Sequence, residues 1–332
     1  MSNGLDILSP ARREIVRDAI VAAFGAAPIG AVTPLHGGAT GAAPLCVEVG
    51  GRRYLVRVEG EASPLRNPHQ YLSLRIAAEA GIAPRVHYID EQARVAVTDF
   101  IEQQPVQAYP GGPLGLAQAL GELLRRLQDT PVFPHFVDYP VIVGRLFAHV
   151  RRTGLFAAGV LDAHTERLDR VSAAYDAGVT RLVSSHNDFI PADILFDGRR
   201  LWAIDWESAY RNDPLVDVAT ALDTQTRTPE LEEALLRAWL GRAPDDAMRA
   251  RLDLTRALTR LYYAGVLLSA SAAASGALAD TDLSAPTLPE LQQAIRDGRL
   301  VRRTPATRHV LGKMFLASFL SGTLPPGFDA AI

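Results

Sequence analysis

The sequence predicts an α+β fold in two lobes, a small one built on an antiparallel sheet and a larger one that is mostly helical. Three observations predict it. The chain has 332 residues, more than a single hydrophobic core usually serves. Its first hundred residues carry short alternating apolar segments and glycine turns. From Glu102 onward the apolar residues recur mostly at helical spacing. The division falls between residues 1–101 and residues 102–332.

The elements follow in order. Residues 10–24, "PARREIVRDAIVAAF", read as a helix capped by Ser9, with Pro10 in its first turn. The glycine-rich stretch Leu35–Pro44 leads into "LCVEV-GG-RRYLVRV", two alternating strands joined by Gly50-Gly51, a strong hairpin signal. "NPHQYLSLRIAAEAG" reads as a helix with Asn67 as cap, Pro68 in the first turn, Leu72 and Ile76 on one face and Gly81 at its end. "RVAVTDFIE" (Arg94–Glu102) is an apolar strand. Beyond it, Leu116, Leu120, Leu123, Leu124 and Leu127 form the stripe of an amphipathic helix. Another helix covers Asp162–Tyr175. "ADILF-DGRR-LWAIDW" is a second strand pair. From Thr228 the chain is nearly all helix, with Thr228-Pro229 and Thr304-Pro305 as cap and first-turn pairs and an exposed connection near residues 280–289.

Bulk properties exclude several classes. Apolar residues make up 48% and charged residues 21%, ordinary for a globular chain. A formal net charge of -3 argues against bulk nucleic-acid or membrane electrostatics. One cysteine, Cys46, rules out an internal disulfide framework. The start "MSNGLDILSPARREIV" lacks a signal pattern, and the longest apolar run, Leu261–Ala274, is too short to span a bilayer. The expectation is a cytoplasmic protein.

The segment "SSHNDFIPADILFDG" (184–198) crowds Asp188, Asp193 and Asp197 with no cation before Arg199. Asp193 and Asp205 flank the second hairpin and can face each other at its open end. Such a cluster suits a hard divalent ion, and magnesium takes one or two carboxylates together with substrate phosphates. Asp188 is then left to accept a proton from an attacking hydroxyl, the division of labour that phosphoryl transfer needs. Asp197 precedes Gly198 and reads as a turn residue, and Asp213 before Pro214 reads as structural. No G-x-S-x-G or cysteine–histidine arrangement is present.

The block "HNDFIPADILFDGRRLWAIDWESAYRNDPLVDVA" (186–219) resembles the signature of the choline/ethanolamine kinases, within the aminoglycoside-phosphotransferase and protein-kinase-like superfamily. The resemblance covers about residues 30–225. It implies a protein-kinase-like bilobal fold, ATP and Mg2+ as cofactors, and a small-molecule hydroxyl acceptor. Carried over, Asp188 is the catalytic base, His186 braces its loop, Asp193 and Asp205 bind magnesium, and Asp217 anchors the loop from the following helix. "LHGGATGAAP" resembles the phosphate-covering loop, with Gly37, Gly38, Thr40 and Gly41 at the phosphates. Arg57 in "YLVRVEG" stands where the phosphate-binding cation does. Phe100, Ile101 and Glu102 stand at the hinge whose backbone meets adenine. Aromatic and acidic residues near the acceptor are sought in Glu207, Trp239, Tyr262 and Tyr263.

The chain departs from the family's pattern in four places. Asp193 replaces an Asn, so an amide donor toward Asp188 is missing. Gln70 stands where a helix Glu pairs with the strand cation. Gly41 stands for an Asn, and Ser208 follows Glu207 where choline kinases favour Tyr. The leading expectation is ATP-dependent phosphorylation of an amino alcohol such as choline or ethanolamine. The alternatives are an aminoglycoside or sugar phosphotransferase, or a catalytically silent nucleotide-binding pseudokinase. An Asp/His metallohydrolase comes last, for want of a second histidine near the cluster.

Overall fold

The computed structural model describes residues 4–35, 43–60, 67–176, 181–226 and 228–322. Helix α1 (Pro10–Phe24) begins at Pro10 as its sequence predicts, although Ser9 makes no side-chain cap bond. Five strands follow: β1 (Ile29–Pro34), β2 (Ala43–Val49), β3 (Arg52–Val58), β4 (Val86–Asp90) and β5 (Val95–Asp99). They form one antiparallel sheet in the order β1-β2-β3-β5-β4. Gly50 and Gly51 take φ of 57° and 78°, the left-handed pair that a two-residue hairpin requires. Strand β1 carries no alternation that sequence could reveal, because four of its six positions are exposed.

Period two decides what β3 offers to each side. Tyr54, Val56 and Val58 are buried under α1, packed with Val16, Ala19 and Ile20. Arg53, Leu55 and Arg57 therefore point to the opposite face, where a cleft opens.

Helix α2 (Gln70–Glu79) differs from its expectation in two respects. Its N-cap position is His69, and Asn67 Oδ1 accepts the His69 backbone N–H at 2.9 Å in a turn ahead of the helix. Its buried positions are Gln70, Tyr71, Ser73 and Ala77, while Leu72 is 47% exposed. The reason is the neighbour it meets. Asn67 Nδ2 and Ser73 Oγ both donate to the Ala209 carbonyl, at 2.7 and 2.8 Å, so a polar face docks on the second lobe.

The second lobe contains α3 (Gly112–Gln128), α4 (Tyr139–Arg152), α5 (Asp162–Asp176), α6 (Leu215–Gln225), α7 (Pro229–Leu240), α8 (Asp246–Ser275), α9 (Leu288–Arg296) and α10 (Pro305–Ser321). Between α5 and α6 lie two short antiparallel pairs: β6 (Val183–Ser185) with β9 (Tyr210–Asn212), and β7 (Ile194–Phe196) with β8 (Leu201–Ala203). Thr228 and Thr304 cap α7 and α10 through Leu231 N and Thr307 N. No helix among the described residues is long and apolar enough to cross a membrane.

Helix α8 is the frame of this lobe, 30 residues long and packed on α4, α6 and α10. Arg251 pairs with Asp213 at 2.8 Å, and Arg260 grips Asp223 of α6 with two bonds of 2.7 and 3.1 Å. Gly265 lets α4 approach, since a Cβ there would lie 2.6 Å from Leu146 Cγ.

His164 of α5 is 1% exposed and lies between the rings of Phe147 and Phe319, with centroids at 6.3 and 6.2 Å. Burial disfavours its charged form and holds its pKa below the ordinary 6.5. The sign follows from linkage: its contribution to stability is complete above the unfolded-state value and is lost as pH falls from there toward the folded-state value. The melting temperature is expected to fall between pH 7 and pH 5, and to fall less in His164→Phe. Equal falls in the two proteins would reject this assignment.

Candidate active site

The loop entering the cleft is pinned from below. Asp217, fully buried on the first turn of α6, accepts the backbone N–H groups of His186 and Asn187, both at 2.7 Å. Ser185 Oγ lies 2.8 Å from its Oδ2. Asn187 takes the left-handed conformation at φ 62° and is locked there by its own amide, which donates to the Ser208 and Tyr210 carbonyls and accepts from Asn212. Asparagine tolerates that conformation better than most residues. The next side chain, Asp188, is thereby aimed at α8, where Tyr263 meets it. His186 donates Nε2–H to the Ile204 carbonyl at 2.8 Å and meets Trp206 edge-on at 4.7 Å.

Pairing of β7 with β8, continued by Ile204 N donating to the Asp193 carbonyl at 2.9 Å, brings Asp193 and Asp205 together at the hairpin's open end. Asp205 is also left-handed, at φ 64°. Asp193 is 8% exposed, and its carboxyl is pushed up to about 10 by burial and then by the charges of Asp188 and Asp205. Three acidic groups this close favour a bound cation. Among the described residues no three metal-ligating side chains converge into a protein cage. Asp193 and Asp205 are instead a two-carboxylate set, which fits magnesium when phosphates and water complete the shell.

Asp188 is half-buried, and burial raises its pKa. Its Oδ1 accepts the Tyr263 hydroxyl at 2.8 Å, and Oδ2 accepts no side-chain bond among the described residues. Tyr262, the preceding residue on α8, packs against Tyr139 at 6.0 Å and Tyr263 at 5.5 Å. Tyr139 and Tyr210 are buried behind this wall. Neither stands out in the sequence: Tyr139 opens an ordinary amphipathic helix, and Tyr210 sits in the polar run Glu207–Asp213.

Arg57 crosses the cleft from β3. Its guanidinium holds Glu59 at 2.6 Å, Asp205 at 2.6 Å and Glu207 at 2.8 Å. Burial alone would lower its pKa, but Asp205, Glu59 and Glu207 outweigh that and raise it. The missing helix glutamate is thus replaced by Glu59, two residues along the same chain segment. Gln70 lines the same cleft, 6% exposed, but makes no bond to Arg57, and its Oε1 has no partner among the described residues.

A cavity of about 590 Å³ runs from Arg57, Asp193, Asp205 and Glu207 out to Phe100, Ile101 and Glu102. Glu102 pairs with Arg53, whose guanidinium lies 5.3 Å from the Phe100 ring centroid. Gly37, Gly38, Thr40 and Gly41 lie outside the described residues. Trp239 requires correction as an acceptor-site candidate. It is 7% exposed in the core shared by α7 and α3, and its indole N–H donates to Gln128 at 2.8 Å. Asp197 is a turn residue, accepting Arg199 N, Arg200 N and the Trp202 indole, each at 2.8 Å. Asp213 is fully buried, accepting Leu215 N and pairing with Arg251.

Known proteins are similar to this chain in sequence and fold. The chain aligns over 199 residues, at 22% identity, with Protein LicA of Haemophilus influenzae, covering 58% of this chain and 74% of that one. A choline/ethanolamine kinase family protein from Mesorhizobium loti superposes with a TM-score of 0.65 at 25% identity, covering 91% of this chain and 99% of the other. Choline kinase LicA from Streptococcus pneumoniae also gives 0.65, at 16% identity, covering 92% and 99%. The sequence pattern of the phosphotransferase enzyme family matches residues 31–254, from within β1 to within α8. That span includes Arg57, Phe100–Glu102, the pinned loop and Asp217, and the chain belongs to the phosphotransferase enzyme family.

Proposed function

We propose that this phosphotransferase moves the γ-phosphoryl group of ATP to the hydroxyl of an amino alcohol such as choline or ethanolamine. The nucleotide lies in the cleft between residues 1–101 and 102–332, its adenine against the backbone of Phe100–Glu102. Arg57 holds the non-transferred phosphates. Asp193 and Asp205 hold magnesium, which when bound neutralises phosphate charge. Asp188 Oδ2 takes the proton of the acceptor hydroxyl as its oxygen bonds to the γ-phosphorus. The bond from that phosphorus to the bridging oxygen breaks, and ADP leaves with the electron pair.

The observation that carries the acceptor class is the wall beside Asp188. It combines the partly exposed rings of Tyr262 and Tyr263, backed by Tyr139, with the carboxylate of Glu207. Ring faces and carboxylates attract an ammonium group. Saturating Mg-ATP is expected to raise the melting temperature, and ATP consumption is expected to rise with choline or ethanolamine above aminoglycosides and sugars. Turnover confined to aminoglycosides or sugars would overturn the acceptor class. Nucleotide binding without turnover on any acceptor would favour a silent pseudokinase.

A further inference from the structure

We propose that the Tyr263 hydroxyl is the donor that orients Asp188, taking over the task left vacant where Asp193 stands in place of an asparagine; this rests on the kinase reading. Asp188 must present one oxygen to the acceptor, so its carboxylate cannot rotate freely. An amide at position 193 would bind a metal through its oxygen and still donate N–H to Asp188, whereas a carboxylate there is ionised once a cation is bound and then only accepts. The single side-chain bond that Asp188 makes among the described residues comes instead from Tyr263, at 2.8 Å to Oδ1. Oδ2 is left for the incoming hydroxyl.

The donor is built to stay in place. The Tyr263 ring stacks on Phe315 at 5.7 Å and 27°, and meets Tyr262 edge-on. Three residues earlier, Arg260 clamps α8 to Asp223 on α6. Two residues later, Gly265 seats α8 against Leu146. Helix α6 also carries Asp217, which fixes the loop bearing Asp188. The base and its donor are therefore referenced to the same helix. Burial first, and Asp188 second, keep the Tyr263 phenol protonated, as a donor must be. Tyr263 is thus a positioning residue rather than part of the acceptor's wall alone.

The test is a double-mutant cycle with Tyr263→Phe and Asp193→Asn, scored by kcat and acceptor KM, with Mg-ATP affinity and melting temperature measured alongside. Phenylalanine removes one atom and keeps the stack on Phe315, so the fold is expected to survive. Tyr263→Phe is expected to lower kcat by about 10- to 100-fold, in line with the cost of a misplaced catalytic group, with Mg-ATP affinity within threefold of the parent. Asp193→Asn, which restores an amide donor, is expected to recover at least tenfold of that loss, and to gain more in the Tyr263→Phe background than in the parent. An unchanged kcat in Tyr263→Phe overturns the assignment. So does a loss that Asp193→Asn fails to repair, or one confined to acceptor KM, which would make Tyr263 an acceptor contact. A parent chain that binds Mg-ATP but turns over no acceptor overturns the kinase reading itself.

Discussion

Asp188→Ala is expected to reduce kcat by about 10³-fold, within the 10²–10⁴ range that a positioned general base supplies, while leaving Mg-ATP affinity within a few-fold of the parent. The two effects separate because of where the charge sits. In the proposed reading Asp188 lies on the acceptor side, with one oxygen held by Tyr263 and the other without a side-chain bond among the described residues. In the same reading the nucleotide is held by different groups, namely Arg57, Asp193, Asp205 and the backbone of Phe100–Glu102. Removing Asp188 also removes the largest charge acting on Asp193, which burial and Asp188 together push toward the neutral form. Asp193 then ionises more readily, so cation binding should strengthen slightly rather than fail. Single-turnover transfer and calorimetric titration of Mg-ATP on the same sample check both halves. Turnover within tenfold of the parent would remove Asp188 as base, and lost nucleotide binding would place it among the phosphate-side groups.

What sequence revealed divides along lines of range. Asp188, Asp193, Asp205 and Asp217 stand in one block of 34 residues, and each is placed by a local device: a loop, a two-strand hairpin, the first turn of a helix. Such devices leave sequence marks. The Gly50-Gly51 turn and the threonine caps at Thr228 and Thr304 are legible for the same reason. The partners that meet across the fold are not. Tyr263 lies 75 residues from Asp188, and nothing near it in the chain announces the contact. Tyr139 and Tyr210 look like core residues because they are buried, and their nearness to the cleft follows only from the packing of α4 and β9. Trp239 shows the converse. A lone tryptophan on a helix suggests a ring for a cationic ligand, yet the pairing of α7 with α3 turns it inward toward Gln128. The helix near residue 70 supplies no acidic partner for Arg57; Glu59, on the strand's own continuation, pairs with it instead. Leu72 misled for a related reason: the face α2 buries is the polar one that docks on Ala209.

Asp217→Ala is expected to cost about 3–5 kcal/mol of folding stability, by the penalty of about 1–3 kcal/mol for each buried donor left without an acceptor. Two backbone N–H groups, those of His186 and Asn187, end on this one carboxylate, and Asp217 has no exposure through which water could replace it. Ser185 Oγ retains Asn187 Oδ1 at 3.0 Å, so its loss adds little. Against a total stability of roughly 5–15 kcal/mol for a folded domain, the change is large, and it falls on the loop that aims Asp188. Asp217→Asn distinguishes charge from geometry. Both carboxylate oxygens are occupied as acceptors, so an amide must set its NH2 against one of the two backbone N–H groups. The isosteric variant is therefore expected to lose nearly as much stability as alanine, and to show a lowered kcat even well below its melting temperature. Urea unfolding of the three proteins, followed by turnover measurements at low temperature, tests the argument. A loss under about 1 kcal/mol in either variant, the size of an ordinary surface effect, would show that the loop draws its order from the Asn187 amide network and the β6–β9 pair instead.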